Sequence, residues 1–397
     1  MLHNRLLEDN RMTSCAHFHP IFCIVPPYIL NEISTRGTAE QRDFAQKTLA
    51  ITSTLQGQRE LAARMGVNVT KGLGGRSRTV YTANNGMTLP GMKVRSEGDG
   101  PVIDVAVNEA YDGAGATYDL YNEVYLRDSV DGNGMRLDST VHYQRSYDNA
   151  FWNGEQMVYG DGDDDLPEDQ RLFNRFTIAI DVIGHELTHG VTQFTANLVY
   201  ANQPGALNES MSDVFGALVK QRTMGQTATQ ADWLIGEGLL AARVKGKALR
   251  SMKEPGTAYD DPVLGKDPQP GHMRDYVTTV SDNGGVHINS GIPNKAFYVT
   301  ALNIGGNAWD KAGKIWYVTL RNKMRATTNF QEVANMTVVS AGELFGNNSV
   351  EQKAVRAGWA EVGITAEVVP GTEPQPSGCL GTPITIFNAV KRRFTGR

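Results

Sequence analysis

Two histidines four residues apart, with a glutamate beside the first, stand out for chemistry: His185-Glu186-Leu187-Thr188-His189. On a helix, positions i and i+4 share a face, so both imidazoles can grip one metal ion while Glu186 acts on a water bound to it. Alone, the pattern also allows a surface helix carrying two incidental histidines. A catalytic zinc takes three protein ligands and keeps a fourth position for water. The third ligand must come from an element facing the first. Asn208-Glu209-Ser210-Met211-Ser212-Asp213 is the candidate, because Glu209 and Asp213 are also four apart and share a face. Glu209 can bind the ion while Asp213 takes the distal N–H of a ligand histidine, fixing its tautomer and raising its basicity.

These residues need elements to hold them. Phe176, Ile180, Ile183, Leu187 and Val191 recur at spacings of 3 and 4. That predicts an amphipathic helix, buried on this stripe and open on the histidine face. Further helices are expected over 206–221, 294–302, 312–324, 330–344 and 350–361. Upstream, strand character falls at 80–81, 92–94, 101–107, 139–143 and 149–152, with a glycine-interrupted helix over 107–126. The fold class is therefore α+β, strand-rich first and helical second, with the motif helix at the seam. Clefts between such halves are preferred places for active sites. The acidic loop Asp161-Gly162-Asp163-Asp164-Asp165 reads as a solvated loop or as a calcium site.

At 397 residues and 40% hydrophobic content the chain can bury a sizeable core in two or three domains. A net charge of −5 with no basic excess argues against nucleic acid as a partner, and no apolar run is long enough to span a bilayer. Cys15, Cys23 and Cys379 lie near the ends, which excludes a disulfide framework for the body. Free thiols are the preferred reading; a Cys15–Cys23 bridge and a cysteine capping the metal are the alternatives. Glu8 and Asp9 stand where a secretory signal needs basic residues, and Pro20, Pro26 and Pro27 break the apolar patch that follows, so no export signal is expected. Residues 1–66 form a distinct segment with a helical run over 38–64, ahead of a basic, glycine-rich linker over 66–78. The body divides at 67–195 and 196–366, and the Pro- and Gly-rich tail 367–397 is expected to be flexible.

Five blocks together resemble the thermolysin-like neutral zinc metalloprotease family: Asn149-Ala150-Phe151-Trp152-Asn153-Gly154, the His185–His189 helix, Asn208 to Asp213, Leu249-Arg250-Ser251-Met252, and Asp282 to Gly291. They occur in the family's order across about residues 78–365. The short N-terminal segment with Pro26-Pro27-Tyr28 is similar to that of the protealysin-like branch. The resemblance implies a two-domain fold with the zinc cleft between the domains. It implies one zinc held by His185, His189 and Glu209, with Asn208 and Asp213 behind the ligands. Glu186 would move the water's proton, Tyr200 and His287 would stabilise the oxyanion, and Asp282 would orient His287. Asn149 and Ala150 would pair with an extended peptide, and Arg250 would hold the carbonyl just beyond the scissile bond. Val182 and Leu249 would line an apolar pocket, giving cleavage before Leu, Phe, Ile or Val. Residues 1–66 would be a self-inhibiting propeptide, removed by a cut within about 60–75. The enzyme would be a monomer acting on peptides or proteins, secreted as relatives are, or cytoplasmic with non-classical release.

One departure from the family pattern is plain. Lys220 and Leu234 stand where calcium-binding carboxylates are expected, while Asp181, Asp232 and Glu237 are kept. The paired calcium site should be lost, with Lys220 replacing the ion; calcium elsewhere stays open. Two other readings are a non-peptidase zinc hydrolase and a catalytically dead binding protein. Arg250 and the strand at Asn149 suit an extended peptide and argue against the first. The second predicts erosion of Glu186, Tyr200 or His287, and all three are present.

Overall fold

A computed structural model describes residues 22–65 and 74–367. The linker at 66–73, the tail from 368, Cys15 and Cys379 lie outside the described residues. The N-terminal segment contributes strand β1 (Phe22–Cys23) and helices α1 (Pro27–Arg36) and α2 (Ala39–Met65). Pro26 (φ −65°, ψ 147°) and Pro27 set the entry to α1, since proline suits the first helical turn and forces extended backbone before it. Ile29, Leu30 and Ile33 bury one face of α1.

The strand-rich half holds β2 (Arg78–Thr82), β3 (Met92–Ser96), helix α3 (Val105–Asp119), β4 (Leu137–Val141), β5 (Ala150–Trp152) and β6 (Met157–Tyr159). The six-stranded sheet has the order β1-β5-β6-β4-β2-β3. Its two central pairings, β2 with β4 and β4 with β6, are parallel; β1 pairs antiparallel with β5. Residues 22–23 thus cover what would otherwise be the edge strand at Ala150.

Two expectations in this half need correction. Residues 101–107 are not a strand. Asp104 caps α3, its side chain accepting from the Ala106 and Val107 amides, and a bonded cap overrides the β-propensity of Val105 and Val107. The glycines of α3 do not interrupt it either. A side chain at Gly113 would meet Ile183 Cδ1 at 2.4 Å, so this glycine is where α3 presses on the motif helix.

The acidic loop finds protein partners. Asp161 takes His142 Nδ1 at 2.8 Å, Asp163 accepts the Leu172 and Phe173 amides, Asp164 pairs with Arg171 and Asp165 with Arg145. His142 Nε2 also reaches Asp104 at 2.8 Å, tying the loop to the cap of α3. The bond to Asp161 raises the His142 pKa to about 9 against the opposing effect of burial. A folded pKa above the unfolded value of about 6.5 means stability fully present below that pH and lost as pH rises through about 9. His142→Ala should therefore cost roughly 1–2 kcal/mol near pH 6, after allowance for solvent screening, and almost nothing near pH 10. Denaturant unfolding at both values checks this, and a pH-independent difference would contradict it.

The motif helix α4 (Ile180–Gln193) leads into the helical half: α5 (Asn202–Met224), the short pair β7 (Leu234–Ile235) and β8 (Arg250–Ser251), then α6 (Asp282–Asn289), α7 (Gly291–Ile304), α8 (Ala312–Asn322), α9 (Phe330–Phe345) and α10 (Val350–Glu361). Phe176 precedes α4 in a 3-10 turn rather than joining it. The helix is not open on one face as expected: every residue from Asp181 to Thr192 is buried. Helix α5 covers the histidine side. The two helices touch through Gly184 and Gly216: a side chain at Gly184 would lie 3.1 Å from Gly216 Cα, and one at Gly216 would lie 2.4 Å from the Asp181 carbonyl. Helix pairs approach this closely only where side chains are missing from the contact.

Candidate active site

That crossing brings three ligand atoms together. His185 Nε2 and His189 Nε2 are 3.0 Å apart, and each lies 3.5 Å from a Glu209 oxygen. Donor atoms on a tetrahedral zinc with bonds of about 2.0–2.1 Å stand about 3.3 Å from one another. The chemistry of the donor set agrees. His185 Nδ1 donates to Asp213 Oδ1 and His189 Nδ1 to Asn208 Oδ1, both at 2.8 Å. Both Nε2 lone pairs then point into one buried space with a carboxylate, and only a cation satisfies all three. Among the described residues no other group of His, Cys, Asp and Glu comes together in this way.

Asp213 is the hub behind the ligands. It is fully buried, and it also takes Arg250 Nε and Nη2 at 2.9 and 2.8 Å and Asn294 Nδ2 at 2.8 Å. Burial alone would raise its pKa, but the Arg250 charge and His185 hold it far below the usual carboxylate range. Glu186 accepts the Trp152 amide at 3.0 Å through Oε2, and its Oε1 is buried without a protein partner. Burial, helped by the neighbouring Glu209 charge, pushes the Glu186 pKa well up.

On the other wall, His287 Nδ1 meets Asp282 Oδ1 at 2.6 Å, and its Nε2 lies 3.2 Å from the Tyr200 hydroxyl. Burial lowers the His287 pKa, but Asp282 and Glu209 outweigh it and bring it to about 9. Tyr200 also bonds Glu209. The glycines before His287 are not a loose loop: Asn283, Gly284 and Gly285 hold positive φ and swing a short helical turn that presents the imidazole.

Residues 22–25 fill the cleft. Phe22 stacks on His189 with ring centroids 4.3 Å apart. Cys23 O lies 3.1 Å from His287 Nε2, and Ile24 O accepts from Arg250 Nη1 at 3.1 Å. The Val25 amide donates to Asn149 Oδ1 at 3.0 Å, and the Ile24 amide donates to Ala150 O at 3.2 Å. Between this segment and the wall formed by Asn149, Tyr200 and His287 only about 30 Å³ remains. Among the described residues no cysteine joins His185, His189 and Glu209, and Cys15 lies outside them. Cys23 is free, and its side chain turns away from the ligands into a cluster with Tyr143, Tyr147, Phe151 and Val158. Strand pairing explains this, because Cys23 opposes Phe151 and takes that residue's face of the sheet.

The residues singled out as zinc ligands or catalytic groups, His185, His189, Glu209, Glu186, Tyr200, His287 and Asp282, lie together in this one place. Val182 and Leu249 are buried in the same apolar core as Ile24. Away from it, Lys220 Nζ stands 2.7 Å from Asp232, 3.0 Å from Glu237 and 3.6 Å from Asp181. Burial opposes the Lys220 charge, but Asp181 and Asp232 outweigh it and raise its pKa. Sequence reasoning missed Asn294, Ser212 (Oγ to His189 Nδ1, 3.1 Å) and the cleft-filling residues Phe22 to Val25. Ser212 lay inside the quoted block, and the apolar run before Pro26-Pro27 was a usable signal for the rest.

Comparison with known proteins gives a consistent picture. The model of the thermolysin metallopeptidase catalytic domain matches residues 39–193, and that of the alpha-helical domain matches 196–364. An extracellular metalloprotease of Pectobacterium carotovorum subsp. carotovorum is 49% identical over 346 residues, covering 87% of this chain and 97% of that protein. Protease PrtS of Photorhabdus sp. (strain Az29) is 49% identical over 347 residues, covering 86% and 91%. The structure of the precursor of protealysin, a metalloproteinase from Serratia proteamaculans, matches with a TM-score of 0.77 and 50% identity over 86% of this chain and 99% of that one.

Proposed function

The chain belongs to the thermolysin family of zinc metallopeptidases, in its protealysin-like branch, and from that premise we propose an endopeptidase that cuts before bulky apolar residues and is made as a self-inhibited precursor. The observation that carries this reading is the extended backbone of residues 22–25 along β5, its carbonyls on His287 and Arg250. A cleft with these contacts is built to hold a peptide main chain, which a hydrolase of small amides does not need.

In this reading His185, His189 and Glu209 hold the zinc, which when bound acidifies water and polarises a carbonyl. Glu186 takes the water proton and passes it to the leaving amine. Tyr200 and His287 donate to the oxygen on which charge develops, with Asp282 holding the His287 ring. Arg250, Asn149 and Ala150 fix the peptide beyond the scissile bond, and Val182 and Leu249 shape the apolar pocket. Residues 1–66 act as the propeptide, occupying the cleft until a cut within 60–75 frees them, and the mature body has its two units at 67–195 and 196–366. Export fits the naming of the Pectobacterium relative as extracellular. The test is casein digestion with and without a zinc chelator, with the cut sites mapped. Chelator-insensitive digestion, or cuts with no preference for apolar residues on the C-terminal side, would refute it.

The Lys220 ammonium takes the place of a divalent ion in bracing the start of α4 against β7. Asp181 is buried in the first turn of that helix and has Lys220 as its neighbouring cation. Lys220→Met should cost roughly 2–3 kcal/mol, less than a fully buried pair because Glu237 is half exposed. Any calcium dependence of the wild-type unfolding midpoint should arise elsewhere and persist in Lys220→Met. A calcium-dependent midpoint that Lys220→Met abolishes would contradict the assignment.

A further inference from the structure

The contacts of residues 22–25 have a register. Cys23 O and the Ile24 amide are the two ends of one peptide bond. On its oxygen side stands His287 Nε2 at 3.1 Å. On its nitrogen side the Ile24 N–H donates to Ala150 O, on the same strand as Trp152, whose amide holds Glu186 Oε2 at 3.0 Å. The next carbonyl, Ile24 O, sits on Arg250, and Asn149 brackets the residue after it, accepting from Val25 N and donating to Val25 O at 3.2 Å. The chain direction and spacing therefore place one bond, Cys23–Ile24, between the group that moves protons and the group that steadies the oxygen. Ile24 is bulky, apolar and fully buried in the core that holds Val182 and Leu249.

We infer that Cys23–Ile24 is a cleavage site of the protein on itself, cut within the same molecule before any cut in the linker. The inference rests on the endopeptidase reading and deepens it. Water adds across the bond: a C–O bond forms at the Cys23 carbonyl carbon and the C–N bond to Ile24 breaks. Both water protons end on the Ile24 nitrogen: Glu186 carries the first as the C–N bond breaks, and the second follows as Cys23 becomes a carboxylate, so the new terminus is an ammonium. No oxidant or further reactant is needed. The cut does not open the cleft. The part that begins at Ile24 keeps its bonds to Arg250 and Asn149 and its anchor in α1. The nicked precursor remains blocked until the linker is cut, so the first cut and the gain of activity are separate events.

The test uses full-length precursor purified under chelation and then supplied with zinc, its fragments followed by intact mass. A terminus at Ile24 should appear before any terminus within 60–75, at a first-order rate unchanged by dilution, and should be absent in Glu186→Gln. Ile24→Asp puts a charge into the apolar pocket and should slow this cut at least about a hundredfold, while Ile24→Val keeps it. A second readout needs no catalysis. In metal-free precursor the Cys23 thiol is buried by this register, so Ile24→Asp should speed its alkylation, mapped by peptide, at least about tenfold. The inference is overturned if linker termini appear while Cys23–Ile24 stays intact, if the Ile24 terminus forms at a concentration-dependent rate, or if Ile24→Asp leaves both cut and alkylation unchanged. Matured protein that digests casein with Cys23–Ile24 never cut defeats this inference alone. Protein that never digests casein defeats the endopeptidase reading as well.

Discussion

Glu186→Gln is expected to lower casein digestion about a thousandfold or more while leaving one zinc per chain and the fold unchanged. The amide is isosteric, and its oxygen can still accept the Trp152 amide that Glu186 now takes at 3.0 Å. What it cannot do is accept a proton from water and return it to an amine. The protein has placed this carboxyl where burial and the Glu209 charge raise its proton affinity, with one oxygen left without a protein partner. Metal analysis and unfolding midpoints alongside the rate separate loss of chemistry from loss of structure. A variant that digests casein at the wild-type rate would remove Glu186 from the mechanism.

The second large effect is expected at Asp213, through the ion it never touches. Asp213→Ala strands the guanidinium of Arg250, which is 1% exposed and bonded twice to this carboxylate. Breaking a buried pair on one side costs about 3–5 kcal/mol. The same change frees His185 Nδ1, so zinc affinity should fall about 10- to 100-fold. Removing both charges, as in Asp213→Ala with Arg250→Met, should recover part of the stability and none of the zinc affinity. Denaturant unfolding and competition with a zinc chelator measure the two losses separately. Wild-type stability in Asp213→Ala would show that Arg250 finds another partner.

How much of this was legible in the sequence follows from how local each signal is. The His185–His189 spacing, the Glu209–Asp213 spacing and the helices of the second half each lie within a few turns, where periodicity is strong. Lys220 among Asp181, Asp232 and Glu237 was legible because a charge had changed sign against a family pattern. The error over 101–107 came from weighing apolar residues above the Asp104 cap. The apolar run of the cleft-filling segment could be seen, but its pairing could not, for a different reason. A two-residue strand has no period to read, and its bonds to Asn149 span 124 positions. The face of α4 thought to be open was closed by elements whose approach depends on tertiary packing, which the helix's own pattern does not encode.

The crossing of α4 and α5 carries a lesson about where a site's information is kept. A methyl group at Gly216 would meet the Asp181 carbonyl at 2.4 Å and His185 N at 3.1 Å, so α5 cannot carry one there without moving away. Any such shift moves Glu209 relative to both imidazoles, because all three ligands ride on the two helices. The bite of the ligand cage is thus written in two positions that possess no functional group. A search for determinants of metal choice that ranks residues by their chemistry would pass over both, although they decide how far apart the chemistry stands.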